Sequence, residues 1–191
     1  DPELAAPPTD PLSQWHLISP TGINLGNVWE DYTGSGVRVG CFDSGIDATH
    51  PDLDGNYSSS LSIDTRTGLP GGLPITANDK HGTAVAGVIA AEKNDVGVVG
   101  VAYHATLASL YLDYAADGPP QQTIAWQHAA ANLDVVNNSW GYSGGFFFDN
   151  FASATFAAPA AALHDAIQSG RSGLGTVIVF SAGNDRVSGQ D

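Results

Sequence analysis

Cysteine, methionine and positive charge are scarce or absent in this chain. Cys41 is the single cysteine among 191 residues, so no internal disulfide framework exists, and the count leaves the redox compartment open. Methionine does not occur, and the chain opens Asp1-Pro2-Glu3 with no signal-peptide pattern, which reads as the start of a processed or trimmed product. Lys and Arg number 6 against 20 Asp and Glu, a net charge of −14. That balance argues against nucleic acid and anionic membrane surfaces as partners. No apolar run approaches the roughly 20 residues needed to span a bilayer. Glutamate is scarce too, limited to Glu3, Glu30 and Glu92. The acidity therefore comes from Asp, which favours turns, caps and oxygen-ligand metal loops over helix faces.

What is present is a chain long enough to bury a core in one domain, with ordinary apolar content and many glycines. Residues 1–30 are Pro-rich and polar around one apolar cluster. They read as an extended arm over a domain spanning 31–191, pinned by Trp15 and Trp29. Four apolar, β-branched segments predict buried strands at 37–42, 107–112, 135–140 and 176–180, with a short strand possible near 61–63. Helices are expected at 81–91, 121–132 and 156–168. Alternation of strand and helix predicts an α/β fold, a mostly parallel central sheet with helices on both faces. Polar groups follow the strands: Asp43, then Ser139, then Asn184. The carboxyl ends of parallel strands lie together, so these groups are expected to line one cleft.

The run His81-Gly82-Thr83-Ala84-Val85-Ala86-Gly87-Val88-Ile89-Ala90-Ala91 is built from small and β-branched residues. It predicts a tightly packed helix, buried on most of its surface. His81 stands in the first turn, where the positive end of the helix dipole disfavours the imidazolium and keeps the ring available as a base.

Asp43-Ser44-Gly45, His81-Gly82-Thr83 and Ser181-Ala182-Gly183-Asn184, in that order, resemble the subtilase (subtilisin-like serine protease) family. Asp10-Pro11-Leu12 before Trp15-His16-Leu17, Val101-Ala102-Tyr103, Ser139-Trp140-Gly141 and Gly170-Arg171-Ser172-Gly173-Leu174-Gly175 lean towards its kexin and furin branch. The resemblance covers nearly the whole chain from Asp10. It implies a serine endopeptidase acting on polypeptides, secreted or otherwise extracytoplasmic. Asp43 would orient the imidazole of His81, His81 would shuttle the proton, and Asn184 would donate to the oxyanion. Ser139, Trp140 and Gly141 would form an edge strand that pairs with substrate backbone. The resemblance also implies Ca²⁺, held by Asp52 nine positions after Asp43, by Asp10, by the Asn94 side chain and by the carbonyls of Glu92, Val96 and Val98. Such an oxygen-only set suits that ion.

The chain departs from the family at two points. No Gly-Thr-Ser occurs, and Asp191 lies seven residues past Asn184, so the nucleophilic Ser is expected from a further segment of the same protease. Ser44 replaces the second Asp of the branch's Asp-Asp-Gly, and Tyr142-Ser143-Gly144 replaces its Pro-Glu-Asp, which removes acidic contacts to basic substrates. A second reading is a catalytically incomplete, peptide-binding relative. A zinc hydrolase using His50, Asp52 and His81 lacks any paired-His helix motif. Cys41 reads as core, and the aromatic run Phe146 to Phe148 as core or as an exposed gripping loop.

Overall fold

The computed structural model describes residues 14–141 and 151–184. Asp10, Tyr142 to Gly144 and the run Phe146 to Phe148 lie outside the described residues. Six strands form one sheet: β1 (Arg38–Asp43), β2 (Ile63–Asp64), β3 (Leu69–Pro70), β4 (Thr106–Tyr111), β5 (Val135–Asn138) and β6 (Val177–Phe180). Their order is β3-β2-β4-β1-β5-β6, and every pairing is parallel except β2 with β3. The expected α/β architecture is therefore present. Strand β5 stops at Asn138, two residues short of expectation.

The pleat of β1 divides the core. Val39 and Cys41 face one side and join Ile46, Leu53, Leu107 and the small residues of α2 (His81–Ala90). Phe42 faces the other and joins Leu110, Trp126, Leu133 and Val136 beneath α3 (Gly118–Asn132) and α4 (Ala157–Gly173). Successive strand residues point to opposite faces, so one apolar strand feeds both layers. Gly40 also faces the α3 side, where an added Cβ would stand 2.6 Å from Leu133 Cδ1. Helix α4 breaks near its end, at Gly170 to Ser172, where Arg171 and Ser172 take positive φ. Arg38 donates to Asp134 from its backbone N, Nε and Nη2 at 2.9–3.0 Å, and this clamp sets the start of β5 beside β1.

Helix α2 differs from expectation. Its buried residues are Gly82, Ala86 and Ala90, a single i, i+4, i+8 stripe against the sheet, while Val88 is exposed. Small residues allow close approach on one face and do not by themselves supply a cover for the other.

The segment preceding β1 contains the short helix α1 (Trp15–Ile18) and a 3-10 turn at Val28–Glu30. Trp29 is buried against Tyr103, as expected, and its Nε1 donates to the Val101 carbonyl at 2.9 Å. Trp15 is not an anchor, being 64% exposed; Leu17, 1% exposed, takes that place beside Leu25 and Val99. In one helical turn only one face meets the core, and here it is the face carrying Leu17. Leu17→Ala is expected to lower unfolding free energy by about 2–5 kcal/mol. Trp15→Ala is expected to change it by under about 0.5 kcal/mol. Denaturant melts of the two variants check the pair.

Candidate active site

Asp43 is the last residue of β1, at the carboxyl edge of the sheet, and is 1% exposed. A carboxylate taken that far from water must be matched by donors. Oδ1 accepts the Ser44 backbone N–H at 2.7 Å and the Tyr114 hydroxyl at 3.2 Å. The Nδ1 of His81 lies 2.9 Å from Oδ1 and 2.9 Å from Oδ2. A buried carboxylate only accepts, so Nδ1 carries the proton and Nε2 is the basic nitrogen. The His81 side chain is 57% exposed. Its ring thus has one edge on a buried charge and the other towards solvent.

Two backbone approaches hold this geometry. The Ser44 hydroxyl accepts the Gly82 N–H at 3.1 Å. Gly82 itself packs on Gly45, where an added Cβ would lie 2.4 Å from the Gly45 carbonyl oxygen and 3.2 Å from Asp43 Cβ. Gly45 has φ +94°, a conformation that favours glycine, and reverses the chain directly after the carboxylate. Hence Asp-Ser-Gly on one element meets His-Gly on the other with no side chain between the backbones. Ser44, placed where the related branch carries a second Asp, is buried and serves this contact.

The other expected site residues lie further along the same edge. Ser139, Trp140 and Gly141 follow β5, which neighbours β1, and Asn184 follows β6, which neighbours β5. Among the described residues Ser139, Trp140 and Gly141 stand outside any strand: β5 ends at Asn138 and lies between β1 and β6. Trp140 packs edge-on against Phe42 at 5.3 Å. Ser181 ties back to this segment, its N–H donating to the Asn138 carbonyl at 2.9 Å. Asn184 is exposed beyond Gly183, whose φ is +87°.

Asp52 is 2% exposed, and its Oδ2 accepts the Val98 N–H at 3.0 Å. Its Oδ1 is buried with no partner among the described residues. The chain over 92–98 wraps this carboxylate, with Asp95 and Gly97 both at positive φ. Glu92 turns its carboxylate away, accepting the Gly55 N–H at 2.7 Å, and Asn94 Oδ1 accepts the Val96 N–H at 3.0 Å. Among the described residues no three His, Cys, Asp or Glu side chains form a metal cluster, which removes the zinc arrangement of His50, Asp52 and His81. His50 instead accepts the Asp52 N–H at Nδ1 within its turn. Cys41 is fully buried, and burial pushes its thiol up to about 12, so it is inert core.

No pattern in the sequence marks Tyr114. It stands 71 residues from Asp43, on a loop with no motif, and only the fold reveals the contact. Although the residue is 56% exposed, desolvation of its phenol first, then the charge and hydrogen bond of Asp43, raise that phenol above the usual tyrosine value.

An imidazole paired with a buried aspartate thus stands at the carboxyl edge of an open, mostly parallel sheet, where such sheets carry ligand-binding and catalytic groups. The subtilase family model matches residues 34–191, and the chain belongs to the subtilase family. Similar curated proteins include the dibasic-processing endoprotease of Schizosaccharomyces pombe, 35% identical over 184 residues, covering 92% of this chain and 25% of that protein. Neuroendocrine convertase 2 of Homo sapiens is 35% identical over 193 residues, covering 92% of this chain and 30% of that protein. Bovine furin (Bos taurus) is 33% identical, covering 93% and 23%. The chain thus spans less than a third of the length of these relatives. Among solved structures, the Aeromonas sobria serine protease in complex with its chaperone superposes with a TM-score of 0.67 at 27% identity, covering 85% of this chain and 27% of that one. A Pseudoalteromonas arctica protease gives 0.66 at 27% identity, covering 91% and 57%.

Gly82→Ala tests the close approach that carries the site. Alanine is the better helix former by about 1 kcal/mol, yet its Cβ meets backbone that cannot swing aside. The variant is expected to lose about 1–3 kcal/mol of stability in denaturant melts, the cost of overpacking. Unchanged stability would contradict the packing described.

Proposed function

We propose that this chain is the amino-terminal portion of a serine endopeptidase catalytic domain, hydrolysing peptide bonds in polypeptides with Asp43, His81 and a Ser from a segment outside these 191 residues. The observation that carries the reading is the His81 ring, with Nδ1 2.9 Å from both oxygens of buried Asp43 and its opposite edge open. In this reading Nε2 takes the proton of the Ser hydroxyl as it attacks the scissile carbonyl. The resulting imidazolium is stabilised by Asp43 and returns the proton to the leaving amine. Asn184 offers its side-chain amide to the tetrahedral oxyanion, and Ser139, Trp140 and Gly141 offer backbone to an extended peptide.

Support for a further segment comes from the sheet edge. Parallel strands are ordinarily covered on both faces, yet Val177, Val179 and Phe180 of β6 are each about half exposed. An extracytoplasmic setting belongs to the same proposal, and no helix among the described residues is long and apolar enough to cross a membrane.

The test is a fluorophosphonate, which labels an activated serine covalently. The full-length gene product is expected to be labelled and to cleave peptides. His81→Ala should abolish both, and Asn184→Ala should cut turnover roughly 100- to 1000-fold, the scale known for the equivalent donor in subtilisin itself. Peptide binding without labelling or cleavage would instead establish a catalytically incomplete relative.

We extend the proposal to Ca²⁺. Asp52, the Asn94 side chain and the carbonyls of Glu92, Val96 and Val98 would hold it, with Asp10 from outside the described residues. The buried Asp52 Oδ1 with no partner supports the fit, since such an oxygen calls for a cation or a donor. The ion would supply structural stabilisation, binding the folded chain and not the unfolded one. Calcium at 100 times its Kd is expected to add about 2.7 kcal/mol of stability, lost on chelation and in Asp52→Asn. A melting temperature indifferent to calcium would remove the ion from the proposal.

A further inference from the structure

Tyr114 lies three residues beyond β4, on the loop leading to α3, at the same carboxyl edge as Asp43. The loop is fixed on both sides of it. In the β1–β4 register Asp43 pairs with Tyr111, and the Leu112 N–H donates to the Asp43 carbonyl at 2.7 Å. Gln121, buried at the start of α3, accepts the Asp113 N–H at 2.9 Å and donates to the Asp113 carbonyl at 3.0 Å. Asp113 Oδ1 accepts the Ala115 N–H at 2.9 Å. Bonds to Asp113 and Ala115 thus fix the backbone that carries Tyr114, and the hydroxyl donates to Asp43 Oδ1 at 3.2 Å.

From this geometry we infer that Tyr114 is a positioning residue for the His81 base, acting by holding Oδ1 of Asp43. The inference rests on the reading that Asp43 orients His81. A carboxylate can rotate about its Cβ–Cγ bond, and its two oxygens compete for one imidazole N–H. Ser44 N–H and Tyr114 O–H both load Oδ1, which weakens that oxygen as an acceptor for His81. Oδ2 is left as the better partner when the ring becomes cationic. One rotamer of the carboxylate, and with it one plane of the ring, is selected. The Ser44 bond comes from the adjacent residue and turns with the strand; the Tyr114 bond comes from another element and fixes the group from outside.

Tyr114→Phe keeps the ring and removes only the hydroxyl that donates to Asp43. In the full-length gene product, the Nδ1–H proton resonance of His81 is expected to move downfield, because an unloaded Oδ1 accepts more strongly. A role in packing alone would leave that resonance in place, and this result would overturn the inference. The Tyr114 phenol, followed by carbon-labelled tyrosine NMR, supplies a readout that keeps the residue. Asp43→Asn is expected to let it ionise at lower pH, since the neighbouring negative charge is gone. If Tyr114→Phe does not fold, that titration decides, and an unmoved phenol overturns the inference. Asp43→Asn also separates the two levels: it should abolish the downfield His81 resonance, and a resonance that survives would sink the Asp43–His81 reading rather than the part assigned to Tyr114.

Discussion

The buried carboxylate of Asp43 is the constraint on which the rest of this structure depends. Removing it from water is unfavourable by several kcal/mol unless donors replace the lost hydration. Three groups supply them: the Ser44 backbone, the Tyr114 hydroxyl and the His81 ring. Each arrives on a different stretch of chain, so the site exists only when β1, the loop after β4 and α2 are all in place. The charge that orients the His81 ring is thus also a condition on the fold.

That condition explains where the glycines stand. Gly45 must reverse the chain beside the carboxylate, and Gly82 must let α2 descend until the Gly82 N–H reaches Ser44 Oγ at 3.1 Å. A glycine inside a helix is locally unfavourable by about 1 kcal/mol against alanine. Here the loss is offset by placing His81 one residue before the closest backbone approach in the site. The same economy governs α2 as a whole, whose Gly82, Ala86 and Ala90 stripe gives up apolar area in exchange for proximity.

Much of this was legible in the sequence, for a definite reason. Val37 to Phe42 reads as a strand because both faces of β1 are buried, so its apolar pattern is nearly continuous. Asp43 and His81 stand next to glycines that mark sharp local geometry, and local geometry leaves a local signature. What was not legible involves choices between competing burials. Trp15 has more apolar surface than Leu17, but a single turn can bury only one side, and sequence does not say which. Ser139 to Gly141 continue the β5 pattern, yet β5 ends at Asn138 and Trp140 packs against Phe42. Tyr114 carries no pattern at all, since its meaning depends on a partner 71 residues away.

The distribution of exposure along the carboxyl edge has a physical logic of its own. The orienting carboxylate is buried, Tyr114, 56% exposed, reaches it from the open side, and the groups that would meet a reacting molecule are open. Asp43 and Ser44 are sealed, while the His81 ring and Asn184 face outward. An orienting charge gains strength from low dielectric surroundings and from donors that cannot reorient. A proton-transfer nitrogen must be reached by its partner. One imidazole spans the boundary between the two regimes, buried charge on Nδ1 and solvent on Nε2. The work of fixing that ring is therefore complete within the elements described. In the proposed role of His81, a base held in advance need not be reorganised during reaction, and that preorganisation is what a sheet edge, two glycines and three donors together would provide.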